Sequence, residues 1–250
     1  MASPTKISRF WFSHFVTNRM TADEMPWTDT YRLNSREHHA IERSIQQFQL
    51  GEGSNGKRLL RRGLAHARAT RNQDFLRALY LFIKEEQRHS GYLLRFMQAQ
   101  KIPALRHHWV DSVFRVLRGL AGLELSLRVL VTAEIIAVPY YRALRDATNS
   151  PLLKALSRRI LADEAAHLRF QASMLSGLAA RRRTVIDALI GRIHRLFLTG
   201  TSIIVWLGHR PVFLAAGYTL HRFLLETHEE LRLLDSETSR DGLRKLTVDR

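Results

Sequence analysis

Between residues 75 and 96 the chain places Phe75, Leu79, Phe82, Glu86, His89, Leu93 and Phe96 at steps of four and three without a break. That alternation puts all seven on one stripe of an α-helix. Five are apolar, so the stripe belongs in a core. The other two are a glutamate and a histidine, and an unpaired carboxylate there carries a heavy desolvation penalty. The same pattern returns further on, where Leu153, Leu156, Ile160, Glu164, His167, Gln171 and Met174 share one helical face. Two Glu-x-x-His pairs are thus set into two core stripes, and whatever fold the chain adopts has to neutralise them.

The rest of the sequence supplies further helices. Leu, Arg and Ala dominate, there are only 6 prolines, and runs of β-branched residues are scarce; this is the composition of long helices. A first helix is expected over about 36–68, with Ser35 as N-cap and Ile41, Ile45, Phe48, Glu52 and Leu59 facing inward. Gly51, Gly53 and Gly56 fall inside it, so either it is interrupted there or a neighbouring helix or ligand approaches the backbone closely. The second helix spans about 72–100 and the third about 108–147, with Leu120, Leu127, Leu130, Glu134, Val138 and Tyr141 inward and Pro139 expected to kink it. A turn at residues 148–150, with Pro151 at the first helical position, leads into the fourth helix at about 151–180. Short turns between long amphipathic helices specify an all-α, up-down four-helix bundle over 35–182. Residues 1–34 read as an N-terminal arm without clear periodicity. Residues 183–250 read as a C-terminal helical extension, broken near Gly208 to Pro211, that caps the bundle, forms a dimer interface or touches a membrane.

Isolated Glu-x-x-His pairs are weak evidence, since 13 Glu and 12 His in 250 residues predict about 0.6 by chance. Position and height strengthen them. A two-metal site in a bundle needs one more Glu from each of the other two helices at the same level. Counted from the turn near 149, Glu134 lies 15 residues before and Glu164 lies 15 after. Counted from the turn near 70, Glu52 lies 18 before and Glu86 lies 16 after, a mismatch of about 3 Å. Glu42 misses by about 18 Å and is assigned to a distal position. The candidate ligands are therefore Glu52, Glu86, His89, Glu134, Glu164 and His167. Glu85 and Asp163, each preceding a ligand pair, are placed to accept a hydrogen bond from the histidine of the opposite helix and so to fix its tautomer. The alternative is a metal-free polar network, in which converging carboxylates would repel one another.

With no cysteine in the sequence, disulfides, thiolate zinc sites and iron–sulfur clusters are excluded. Four carboxylates and two imidazoles suit iron or manganese better than zinc or copper(I), and two divalent ions would balance the four negative charges. The expected cofactor is a pair of Fe ions, as Fe/Fe or Mn/Fe.

The segments EEQRH (85–89) and DEAAH (163–167), with Glu134 upstream of the second, resemble the paired motifs of the ferritin-like di-iron carboxylate superfamily. EEQRHSGYLL is most similar to the first motif of soluble acyl-carrier-protein desaturases. The resemblance covers about residues 36–180. It implies a ferritin-like fold, the same six residues as iron ligands, and Arg88 as a motif arginine. It implies dioxygen-dependent oxidation of an organic substrate by desaturation, hydroxylation or N-oxygenation, with a separate electron donor. The inward residues Phe48, Phe82, Leu130 and Ile160 are expected to supply a dry apolar cavity for that chemistry. Two departures bear on substrate and proton delivery: Ala166 stands where desaturases carry Arg, and Ala137 and Val138 follow Glu134 where many members keep a Thr. The rival expectations are a ferroxidase or peroxidase without organic substrate, and a basic RNA- or membrane-binding module whose bundle is structural.

The formal charge of +16 attracts polyanions, such as an acidic carrier protein or an anionic membrane surface; no specific nucleic acid is indicated. The arm lacks a signal-length apolar run and Leu196 to Gly208 is short of a bilayer span. A cytoplasmic homodimer, with peripheral membrane contact as an option, is the expectation. His209, His221, His228 and Glu229 are assigned to a solvated face, Glu124 to packing or a salt bridge, His38, His39, His107 and His108 to the surface, and Arg181 to Arg183 to a helix end.

Overall fold

The computed structural model describes residues 3–21, 25–54, 56–105, 122–179 and 184–238. Among them every regular element is helical: α1 (Pro4–Met20), α2 (Ser35–Glu52), α3 (Lys57–Thr70), α4 (Gln73–Ala99), α5 (Leu123–Asp146), α6 (Pro151–Ala179), α7 (Thr184–Ala215) and α8 (Leu220–Thr238). The expected start of the third helix, His107, His108 and Arg181 to Arg183 lie outside the described residues.

Local chemistry sets most of the boundaries. Asn34, rather than Ser35, caps α2: its side chain accepts from the Glu37 backbone while Glu37 reaches back to the Asn34 N–H, a reciprocal capping box. Asn72 caps α4 through the Phe75 N–H, and Ser150 accepts from the Leu153 N–H at the start of α6, one residue before Pro151.

The glycine-bearing stretch resolves both ways at once. The first helix ends at Glu52 and a second one starts at Lys57, and Gly56 between them holds a left-handed φ of 59°. Helix α4 also crowds this backbone: a Cβ on Gly56 would lie 2.6 Å from Ile83 Cδ1, and one on Gly63 in α3 would lie 2.4 Å from Leu79 Cδ2. Only glycine meets both demands at position 56.

Residues 4–20 are not an irregular arm. They form α1, begun by the Ser3 cap and Pro4, and Ser8, Trp11 and Phe15 are buried against α4 and α6. Phe15 packs on Phe82 and Phe170, and Trp11 on Phe170. Helix α5 continues through Pro139, while α7 bends where His209 leaves helical geometry two residues before Pro211.

The C-terminal helices are stitched to this body. Helix α7 packs on α2 and α5, and α8 on α5 and α6. His209 is buried, with Nδ1 2.8 Å from Ser44 Oγ, and Ser44 donates to Tyr140; the solvated face expected for His209 is therefore corrected. His221 is exposed, and His228 lies 3.1 Å from Thr199 Oγ1. Arg142 bonds both Glu226 and Glu230, and Glu124 pairs with Arg128 on its own helix.

Candidate metal centre

Four helices converge on one polar cluster inside the apolar body. Helix α4 contributes Glu86 and His89, α6 contributes Glu164 and His167, α5 contributes Glu134, and Glu52 comes from the last residue of α2. One group of ligand atoms from Glu52, Glu86, His89 and Glu164 lies within 4.8 Å of one another, and so does a second from Glu86, Glu134, Glu164 and His167. The two groups share Glu86 and Glu164. Oxygen and nitrogen donors sit about 2.0–2.2 Å from such ions, so donors on opposite sides of an ion are about 4 Å apart, and each group can hold a metal ion with little movement. Glu42 lies elsewhere, 3.3 Å from His38 on an outer face of α2.

Four of the six donors are oriented from behind. His89 Nε2 lies 3.0 Å from Asp163 Oδ2, and His167 Nε2 lies 3.0 Å from Glu85 Oε2. Each imidazole is thus held by the carboxylate one residue before the ligand pair of the opposite helix. A proton kept on Nε2 leaves each Nδ1 as a lone pair facing the cluster. The anchors are themselves held. Asn18 of α1 donates to both Glu85 and Asp163, at 2.7 and 2.9 Å, and Arg159 reaches Asp163 and Asn18 at 3.2 and 2.7 Å. Arg88 reaches Asp163 and Glu85 at 3.3 and 3.6 Å. The Tyr141 hydroxyl donates to Glu52 Oε1 at 2.7 Å, and the Gln171 amide donates to Glu134.

Asn18, Arg159, Tyr141 and Gln171 carry no role in the reading of the sequence. Signals for three of them are present nonetheless. Tyr141 and Gln171 stand on the ligand stripes, seven residues after Glu134 and four after His167, and Asn18 extends the Ser8, Trp11, Phe15 spacing of α1 by three. Arg159 stands four residues before Asp163.

The inward atoms are left over. Glu86 Oε1, His89 Nδ1, Glu134 Oε2, Glu164 Oε2 and His167 Nδ1 are buried without a hydrogen-bond partner. Even His167 Nδ1 and Glu86 Oε1, 3.0 Å apart, are not aligned for one. Buried polar atoms are rarely orphaned, and here five orphans belong to one cluster of the donor types that bind divalent cations.

The protonation balance of the cation-free cluster agrees. Burial, then the neighbouring Glu86 and Glu164 charges, pushes Glu52 well above the usual carboxylate range. Burial, then Glu164 and Glu86, does the same to Glu134, and burial with the Glu86 charge raises Glu164. For His167 burial alone would favour the neutral ring, but the Glu164, Glu85 and Glu86 carboxylates outweigh it and raise its pKa well above the ordinary value. Glu86 moves down despite burial because His167 and His89 face it. Without cations the cluster therefore retains protons, and a divalent ion would displace them.

The surroundings are asymmetric. Phe82 sits 4.8 Å from the His167 ring in an edge-on contact, and Phe15 and Phe170 close that side. Of the expected apolar neighbours, Phe48 stacks on Tyr140, and Leu130 and Ile160 are buried in the core. Toward the α2–α3 break the seal is incomplete: Glu86 keeps 15% of its side chain exposed and Glu52 is half-buried, whereas the Glu164 side chain is only 1% exposed. No family model, curated protein or solved structure matches the chain.

Proposed function

We propose that the protein is a ferritin-like di-iron oxidoreductase that uses dioxygen to oxidise an organic substrate. The observation that carries this is the pair of overlapping donor groups sharing Glu86 and Glu164, with the unpartnered atoms of five buried side chains in their midst. In that arrangement Glu52, Glu86, His89 and Glu164 would hold one ion, and Glu86, Glu134, Glu164 and His167 would hold the other. Four carboxylates, two neutral imidazoles and two divalent ions make a buried site of zero net charge, and the oxygen-rich donor set suits Fe²⁺ or Mn²⁺. Bound ferrous ions supply the electrons for reducing dioxygen.

The residues around them do the remaining work. Glu85 and Asp163 keep the Nε2 protons, so that both Nδ1 atoms stay available. Arg88, Arg159 and Asn18 offset and position those two anchors. Tyr141 and Gln171 hold Glu52 and Glu134 by one oxygen each, and the other oxygen of Glu134 is left unpartnered. Phe15, Phe82 and Phe170 exclude water on one side, and the Glu52–Glu86 edge admits ions and small reactants. An open groove of about 810 Å³ between α1, α3 and α4 is lined by Phe12, Leu60, Leu64 and Leu76, with Lys57 and Arg61 among its basic residues. It suits an anionic acyl chain. Its Leu81 is next in the chain to Phe82, which touches His167.

Anaerobic titration with Fe²⁺ followed by metal analysis and exposure to air tests the reading. Two iron equivalents per chain and the absorption of an oxo-bridged ferric pair are expected; fewer than one equivalent would remove it. A ferroxidase is the second reading, favoured by the partly open Glu52–Glu86 edge. Dioxygen consumption sustained by a chemical reductant and increased by an added acyl substrate separates the two.

A further inference from the structure

Helix α7 carries the most conspicuous unpartnered surface among the described residues. Leu189, Ile193, Leu196, Ile203, Leu207 and Leu214 recur at steps of three, four and seven, and each is 40–75% exposed. At 100° per residue the five from Leu189 to Leu207 share one face of the helix, Ile186 and Ile204 widen it, and Leu214 follows beyond the bend at His209. Together these side chains expose on the order of 800 Å² of apolar surface, more than the roughly 300–600 Å² of the largest patch on a typical monomer. The opposite face of α7, with Leu198, Ser202, Val205 and Phe213, is buried against the body.

The charges around this face choose its occupant. From Leu196 to Gly208 the sequence holds no charged residue at all. The exposed arginines toward the two ends of that run are Arg192 and Arg210, 18 residues apart with the second just past the bend at His209, while Arg195 turns aside to pair with Asp235 of α8. No carboxylate stands between them. A second copy of α7 would therefore meet like with like. Antiparallel pairing about Gly200 sets Arg192 near Arg210 of the other copy, and parallel pairing sets each arginine against itself, without the complementary flanking charges that helix pairs use. Two chains of formal charge +16 also repel. A surface that is apolar inside and anionic at its boundary accepts the face without conflict.

We propose that α7 lies flat on an anionic lipid surface, with the Leu196–Leu207 face in the acyl boundary and Arg192 and Arg210 at the phosphate level. Segment Ala188–Ala215 is long and apolar enough to cross a bilayer by length and composition. Its attachment along one side to α2, α5 and α8 holds it parallel to the surface instead, in the manner of monotopic helices. The inference does not rest on the metal reading.

Co-flotation of the purified full-length chain with vesicles tests it, using phosphatidylcholine alone and phosphatidylcholine with one third phosphatidylglycerol, at low and high salt. Binding at least tenfold stronger to the anionic vesicles, weakened by salt, is expected. Leu196→Glu with Leu207→Glu should lower it at least tenfold, with metal content and helical circular dichroism unchanged. Arg192→Gln and Arg210→Gln, both on the surface, should each weaken anionic binding about fivefold, which keeps the test decisive if the glutamate pair does not fold. Equal flotation with both vesicle types, or full binding by the arginine variants, overturns the proposal. So does a wild-type dimer that does not float and becomes monomeric with the glutamate pair, which would assign the face to a second copy.

Discussion

Replacing Glu134 by glutamine should make the metal-free protein more stable and the metal site worse. Glu134 sits 3% exposed, with one oxygen held by Gln171 and the other unpartnered. Its acceptors in the second donor group lie within 4.8 Å and include two further carboxylates. At an effective dielectric of 20, like charges at that separation repel by about 3 kcal/mol. Burial and the Glu164 and Glu86 charges push Glu134 toward the protonated form, and a proton held to pH 7 by a group with an ordinary pKa of 4.5 also costs about 3 kcal/mol. Glutamine is neutral at no such cost, accepts the same Gln171 hydrogen bond, and can donate an amide hydrogen to the Glu164 carboxylate.

Allowing about 1 kcal/mol for imperfect hydrogen bonding, the metal-free variant should gain about 1–3 kcal/mol at pH 7. At 2–4 °C per kcal/mol for a chain of this size, its Tm rises by several degrees. The sign follows from linkage. The folded pKa of Glu134 is raised, so the wild type loses stability as pH climbs from 4.5 through that pKa. The advantage of the variant should vanish near pH 4.5 and grow toward pH 8. Urea unfolding in the presence of chelator at pH 4.5, 6 and 8 measures this, and metal analysis should show iron falling from two equivalents to about one. A variant less stable than wild type by 2 kcal/mol or more at every pH, with metal content unchanged, would show that the carboxylates form a favourable network of their own, and the reasoning would be refuted.

Four further outcomes are expected. Glu164→Ala removes a donor common to both groups and should abolish two-metal binding with the helical circular dichroism intact, whereas Glu42→Ala should leave metal content as it is; isothermal titration with Fe²⁺ or Mn²⁺ checks both. Asn18→Ala frees Glu85 and Asp163 from their shared donor and should weaken metal affinity about 10-fold or more; an unchanged Kd would show that α1 serves packing alone. Gly56→Ala combines a left-handed φ with a Cβ 2.6 Å from Ile83 and should cost about 2–4 kcal/mol in chemical denaturation. Burial holds His194, beside Thr132, down to about 4, so its contribution is present above pH 6.5 and lost as pH falls toward 4. The stability difference between wild type and His194→Gln should shrink by about 3 kcal/mol across that window.

The parts of the molecule that the sequence exposed are those where one periodicity states both position and chemistry. Glu86 and His89, and Glu164 and His167, declared themselves because charged side chains stood on stripes otherwise reserved for Leu and Phe. Glu134 followed from height alone. Glu52 is placed by counting along a helix that stops at Glu52; its carboxylate still lies beside Glu86, His89 and Glu164 because α2 up to that point runs alongside α4, and where the chain goes next does not move it. Asn18 shows the opposite case. Its helix carries a weak apolar stripe of Ser8, Trp11 and Phe15, and its function lies in two hydrogen bonds across 67 and 145 residues of chain. No spacing rule encodes a contact of that range. His209 was misread because helical spacing within a polar tail says nothing of what α2 brings against it, and Ser44 and Tyr140 supply that contact.

The cluster also explains why a chain would retain so unfavourable an interior. Without cations, three of its four carboxylates are driven toward the neutral form by burial and mutual repulsion. The outer layer does not relieve this. Asp163 is held below the ordinary carboxylate range by His89, Asn18 and Arg159 despite its burial, so it stays charged and orients the imidazole whether or not an ion is present. On the proposed reading the donors are built in advance and destabilising until filled, and a bound ion would remove a repulsion that folding alone has to bear. A network kept only for stability would need its inward atoms paired with one another. Instead, the polar contacts of this cluster that are well aligned run outward, to Asp163, Glu85, Tyr141 and Gln171, and the unpartnered atoms belong to its centre.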